Sequence, residues 1–257
     1  MIKFFDNTHT YKSVVADDKT KWLSVTTLVG LYKEKFDDSI AGKCSKDPTS
    51  KWYNIPEQEI KNIWKRESNR STELGSWYHK RMEDNEINAI HCCPIENNWK
   101  LAGGQQLSEN VYPEFMAYHP FYEVCGQVDK IKVTGNKLRI DDYKSNKKID
   151  RESFRDKRMH FPINNIPDCN LYHYSLQLSL YCYMLLFHNP HLELDKLVLQ
   201  HVEFETESYD KFGYPITAKD QNGDYIVKKV TPIEVNYLKK EVELILNHYK
   251  NGRKDHQ

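Results

Sequence analysis

Residues 126–144 constrain the fold more than any other stretch. Gly126-Gln127-Val128-Asp129-Lys130-Ile131-Lys132-Val133 alternates as one strand, and Lys137-Leu138-Arg139-Ile140-Asp141-Asp142-Tyr143-Lys144 alternates as the next. The two-residue loop Gly135-Asn136 between such runs closes a β-hairpin. That turn puts Asp129 across from Asp142, with Cβ atoms about 5 Å apart. One face then carries Ile131, Val133, Leu138 and Ile140 and ends in Gln127, Asp129, Asp142 and Lys144. The other carries Lys130 opposite Asp141 and Lys132 opposite Arg139, a solvated pattern. Slipping the register by one residue would bury the charged face, so the register is tightly specified. Two carboxylates held this close repel, and a divalent cation between them would offset the repulsion. An ordinary hairpin end reaching solvent would instead leave both acids merely exposed.

The 257 residues suffice for one large domain, and we expect a single domain over 1–257. Lys and Arg number 37 against 37 Asp and Glu, so the chain does not coat nucleic acid by bulk charge. A local basic cleft remains compatible: residues 127–160 hold 11 basic against 6 acidic side chains, beside the acid pair. Lys147, Lys148, Arg151, Arg155, Lys157 and Arg158 read either as that cleft or as a solvated loop and helix face. The six cysteines lack CxxC spacing, and the vicinal Cys92-Cys93 beside His91 is a poor zinc site. The N-terminus has no signal-peptide pattern and no apolar run approaches membrane-spanning length, so an intracellular, non-membrane protein is expected.

Short strands are predicted over Ile2–Phe5, Tyr11–Val15 and Trp22–Val25, with Ser24 capping a short helix running toward Lys35. Residues 36–55 read as irregular. Pro56-Glu57 opens a helical stretch that Gly75 divides into Ile60–Leu74 and Ser76–Asn85. Gly103-Gly104 marks a loop, and residues 111–146 are β. A basic loop to about residue 168 precedes a helix over Leu171–Phe187, a strand over Lys196–Glu205 and a hairpin at Gln221-Asn222-Gly223-Asp224. The start signal Thr231-Pro232-Ile233-Glu234 predicts a final helix over 231–250. The element order indicates a mixed α/β domain around a small sheet.

Asp142 and Lys144, two apart on a strand, share a face while Tyr143 points away. A lysine beside two metal-bound acids suits phosphodiester hydrolysis: the metal acidifies a water and polarises the phosphate, and the ammonium offsets developing charge. Oxygen ligands favour Mg²⁺ or Mn²⁺ over zinc. Gln177 and Tyr181 lie one helical turn apart and can bond phosphate or steady a carboxylate; an aromatic-rich core helix is the alternative reading. His79 and Glu83 are also one turn apart, as ligand and partner or as structural residues.

In this order the pieces Gly75…His79…Glu83, Gly126-Gln127-Val128-Asp129, Ile140-Asp141-Asp142-Tyr143-Lys144 and Gln177-x-x-x-Tyr181 resemble the PD-(D/E)XK nuclease superfamily, in its RecB-like exonuclease branch. The likeness spans about residues 75–183. The segment Trp22-Leu23-Ser24-Val25-Thr26 and the helix from Trp64 to Gly75 are similar to the entry segment of mitochondrial genome maintenance exonucleases and related phage nucleases. The resemblance implies a restriction-endonuclease-like core, a central mixed sheet flanked by helices, with the motif core at about 75–205 and an entry segment at 1–74. It implies His79, Asp129, Asp142 and the Tyr143 carbonyl as metal ligands, and Lys144 as the catalytic lysine. Gln177 and Tyr181 would support the site or the DNA backbone, Ser24 and Thr26 would contact phosphate, and Glu83 would hold His79. Lys147 and Lys148 are the expected basic contacts for substrate. Some relatives carry an iron–sulfur cluster on one upstream cysteine and a C-terminal cysteine triplet. No cysteine follows Cys182 here, so no cluster is expected. The activity implied is a Mg²⁺- or Mn²⁺-dependent DNA exonuclease acting on free ends, single-stranded ones included, in replication, repair or recombination. A structure-specific endonuclease and an inactive nucleic-acid-binding module are the alternatives.

Overall fold

The computed structural model describes residues 2–5, 10–13, 20–89 and 106–254. His91-Cys92-Cys93, the Gly103-Gly104 loop and the end of the strand expected at Tyr11–Val15 lie outside the described residues. The chain begins with strands β1 (Ile2–Phe5), β2 (Thr10–Ser13) and β3 (Leu23–Ser24). Helices α1 (Val25–Gly30), α2 (Ile40–Lys46) and α3 (Glu57–Ala89) follow, then strands β4 (Asn110–His119), β5 (Val124–Thr134) and β6 (Lys137–Lys144). Helix α4 (Asn170–His188) leads to β7 (Glu193–Phe204), β8 (Thr206–Tyr209), β9 (Pro215–Thr217), β10 (Val227–Val235) and α5 (Lys239–Lys254).

Six strands form a mixed sheet in the order β10-β7-β6-β5-β3, with β4 also paired to β5. The β5–β6 hairpin has the expected register: Val133 faces Leu138, Ile131 faces Ile140 and Lys130 faces Asp141. Gly135 takes φ +60°, the left-handed value such a turn demands and glycine adopts without Cβ strain. β4 runs antiparallel along one edge of β5 from Val133 to Val124. The other edge of β5 must then serve two strands: β6 at residues 130–134 and the parallel β3 at Val124 and Cys125. Past Asp141, β6 leaves β5 and continues parallel to β7, with Asp142 beside Leu199 and Lys144 beside His201. The sheet is therefore split where Asp129 and Asp142 lie.

Helices cover both faces. Leu138, Ile140, Ile131 and Val133 pack with Leu176 and Leu180 of α4, Val25 and Leu28 of α1, and Val242 and Ile245 of α5. Helix α4 is buried on nearly every side, residues 175–182 without exception, which is why it is apolar all round rather than striped. Tyr143 points to the opposite face and packs with Tyr78 of α3 and Val202, flanked by Trp77, Met82 and Phe204. The face expected to be solvated is thus covered by α3. Asp141 is buried there, held by the Arg139 fork at 2.8 Å for both bonds and by Gln200 Nε2 at 2.5 Å. Lys130 pairs with Glu86 of α3 rather than with Asp141 across the hairpin.

Three local expectations are corrected. Helix α3 runs unbroken through Gly75, because one glycine costs a helix only about 1 kcal/mol. Residues 36–55 contain α2, which packs Ala41 with Trp52, Ile60 and Ile63. Residues 231–235 belong to strand β10, and the last helix begins at Lys239. Thr231, Ile233 and Val235 alternate inward with period two, and β10 is an edge strand, where Pro232 is tolerated. A capping motif is local; pairing with β7 overrides it. No described helix is long and apolar enough to cross a membrane.

Candidate functional site

The split in the sheet brings residues from five elements together. Asp129, on β5 just beyond its last pair with β6, turns its Oδ2 toward the open edge of β6 and accepts from the Tyr143 N–H at 2.7 Å. Its Oδ1 lies 3.4 Å from His79 Nδ1 on α3. His79 Nε2 faces the Tyr143 carbonyl at 3.3 Å, so both ring nitrogens meet acceptors. Burial alone would favour neutral imidazole, but Asp129 and then Glu114 outweigh it and push the His79 pKa up to about 10. The imidazolium, with Lys144 and the Tyr143 N–H, in turn holds buried Asp129 below the usual carboxylate range against the opposing effect of burial.

Asp142, 1% exposed, has the opposite balance. Burial and the charge of Asp129 raise it to about 6, although Lys144 lies 2.6 Å away. Lys144 itself is raised: desolvation would lower it, but Asp142 and Asp129 more than compensate, and the ammonium stays charged. It also sits 4.8 Å over the Tyr174 ring. From α4, Gln177 Nε2 donates to Asp142 Oδ1 at 3.1 Å and reaches Tyr181 Oη at 3.3 Å.

Glu114 was not foreseen from the sequence. The β4–β5 register puts it across from Asp129, between the pairs Pro113–Lys130 and Phe115–Val128. Its Oε1 lies 3.8 Å from His79 Nδ1. His79, Glu114 and Asp129 can each turn a ligand atom to within 4.8 Å of the others. Glu114 has φ +50°, a left-handed conformation that costs a non-glycine residue about 1 kcal/mol or more and gathers at functional sites. A readable signal existed: an acid after proline inside the apolar strand Tyr112-Pro113-Glu114-Phe115, one turn upstream of the hairpin.

The other expected residues are placed less centrally. Glu83 is buried on α3, with Lys80 at 3.3 Å, and adds negative charge near Glu114. Ser24 caps α1, accepting from the Thr27 N–H at 3.0 Å, and lies 3.1 Å from Thr26 Oγ1. Thr26 shares a groove with Gln177. Lys147 stacks over Tyr214 at 4.5 Å and lies 3.9 Å from Glu67; Lys148 pairs with Asp150 at 2.5 Å. Neither lysine is brought into the acid cluster.

Two glycines set the site's spacing. A Cβ on Gly75 would stand 3.3 Å from Ser145 Oγ, so α3 passes close to the end of β6 and seats His79 over Tyr143. A Cβ on Gly126 would stand 2.7 Å from Tyr181 Cε1, an overlap that buried Tyr181 cannot relieve by swinging away. Gly126→Ala is expected to lower stability by about 2 kcal/mol. It should also displace the Tyr181–Gln177 pair. Urea unfolding checks this, and a variant as stable as wild type would show that α4 stands off β5 more than the structure indicates.

Fold and site together define an α/β protein with a mixed central sheet flanked by helices. At a split in that sheet it gathers two buried carboxylates, Asp129 and Asp142, and the half-buried Glu114 against one histidine and one lysine. No known family and no curated protein matches the chain.

Proposed function

We propose that the protein is a divalent-cation-dependent nuclease that hydrolyses DNA phosphodiester bonds as an exonuclease at free ends, on a PD-(D/E)XK core of the RecB-like branch. The observation that carries the reading is a charged, half-buried Lys144, its side chain 16% exposed, set among more carboxylate than the local cations neutralise. Among the described residues, the cations in ion-pair reach of Asp129, Asp142 and Glu114 are His79 and Lys144. Such an excess is costly unless further positive charge arrives.

The donors fit Mg²⁺ or Mn²⁺: two carboxylates and one imidazole within 4.8 Å, beside the Tyr143 carbonyl. An iron–sulfur cluster forms no part of the proposal. When bound, a divalent ion supplies Lewis-acid polarisation of the phosphodiester and lowers the pKa of a water. His79, on releasing its proton, would hold it with Glu114, Asp129 and the Tyr143 carbonyl. The Tyr143 N–H fixes the Asp129 carboxylate, and Gln177 fixes that of Asp142. Lys144 orients the attacking water and offsets charge growing on the phosphate oxygens. A nuclease of replication, repair or recombination inside the cell accords with this chemistry.

The test uses purified protein with Mg²⁺ or with EDTA, on linear single-stranded DNA labelled at either end, linear duplex and a single-stranded circle. Metal-dependent loss of linear DNA with the circle intact is expected, and the label pattern gives polarity. Cutting of the circle would make the protein an endonuclease. Intact DNA throughout would overturn the reading.

A further inference from the structure

A groove of about 610 Å³ leads away from Gln177 between α4 and the segment after α1. Tyr174 and Gln177 lie along it beside the acid cluster, Lys33 and Lys35 along the opposite side, and Phe36 beside them. Phe36 is 76% exposed, although a phenylalanine is ordinarily withdrawn from water; among the described residues its ring contact is an edge contact with Trp64, 5.8 Å between centroids.

The charge along this groove is one-sided. Glu34 is neutralised by Lys157 at 2.6 Å. Asp168, just outside, is held by His173 at 2.5 Å and by the Glu34 N–H at 2.9 Å. Lys33 and Lys35 have no ion-pair partner among the described residues. Asn170 also lines a second groove, which bears Lys148 and Arg151 against Asp150 and Glu152, with Phe154 71% exposed.

A cation row beside exposed aromatic faces is the chemistry that holds an unpaired nucleic-acid strand: ammonium groups track phosphates while rings stack on bases, whatever their sequence. A paired duplex offers such rings no free base face. We propose that this groove is a single-strand subsite, in which Lys33 and Lys35 hold the backbone and Phe36 stacks on a base beside the scissile phosphate. The inference rests on the nuclease reading and narrows it, making the substrate end an unpaired strand.

Binding, rather than cleavage, tests it. Lys144→Ala protein in Mg²⁺ is titrated with a fluorescent single-stranded oligonucleotide and with the same sequence as duplex. Adding Phe36→Ala should weaken single-strand binding about 5- to 100-fold and leave duplex binding unchanged; Phe36→Trp should restore it. Lys33→Gln with Lys35→Gln should reduce the slope of log affinity against log salt by about 1.4. Phe36 is exposed, so its replacement does not threaten the fold. Unchanged single-strand affinity, or equal losses on both substrates, overturns the subsite and leaves the nuclease reading standing. Failure of the parent protein to bind any nucleic acid overturns both.

Discussion

On the proposed nuclease activity, Lys144→Ala is expected to lower the rate of DNA cleavage roughly 100- to 1,000-fold or more, the loss typical when one preorganised charge partner of a developing oxyanion is removed. The effect falls on kcat with KM nearly unchanged, because the ammonium acts chiefly on charge that appears in the transition state. The fold survives the change. Asp142, left without its partner 2.6 Å away, already has its carboxyl raised to about 6 and takes up a proton rather than remaining as a buried anion. Lys144→Arg is expected not to restore the rate, since the guanidinium would stack on the Tyr174 ring and fork onto Asp142, spreading its charge where the ammonium concentrates it. Single-turnover cleavage with matched unfolding curves is the measurement. A variant that cleaves within tenfold of wild type would remove Lys144 from the chemistry.

Neutralising the two facing acids shifts the stability of the metal-free protein in opposite directions. Asp142 is raised, so the native state retains its proton after the unfolded chain has released it. Wild-type stability therefore falls as pH climbs from about 4 through about 6. Asp142→Asn mimics the protonated form: its amide oxygen faces Lys144, and its NH₂ meets Gln177 once that side chain turns its carbonyl inward. The variant should be more stable than wild type by about 1–3 kcal/mol at pH 8, with no gain below pH 4. Asp129 is lowered, so its contribution is present above the ordinary carboxylate range and disappears in acid. Asp129→Asn leaves His79 and Lys144 without their shared counter-charge and should cost about 3 kcal/mol at pH 8, shrinking as pH falls. Urea denaturation in EDTA at pH 4 and pH 8 reads both. Destabilisation by Asp142→Asn at pH 8 would contradict the opposed electrostatics of the two acids.

The parts of this site legible in the sequence are those fixed by short-range periodicity. Residues at i and i+2 on a strand share a face, so Asp142 and Lys144 had to lie together. Gln177 and Tyr181, four apart on a helix, had to do likewise, and the structure joins them with a hydrogen bond at 3.3 Å. Glu114 was hidden because its place depends on the β4–β5 register, set by a loop at Pro120-Phe121-Tyr122-Glu123 with none of the diagnostic glycine or asparagine. Glu123 instead adopts φ +58° to close it. The strand at 231–235 was hidden for a different reason, since a helix-start motif and a period-two pattern overlap there and only the partner strand decides between them.

By itself the sequence determined the β5–β6 register, the cap on α1 at Ser24 and the apolar helix α4, because turn chemistry, side-chain alternation and capping act within a few residues. The tertiary structure alone decided that β6 leaves β5 for β7 at Asp142 while β3 takes up the far end of β5. It alone decided that α3 runs through Gly75 to seat His79, and that Glu114 joins Asp129. Each of these depends on hydrogen bonds or packing between segments distant in the chain, whose gain no local pattern records. The split in the sheet that gathers the acids, the histidine and the lysine is their joint product.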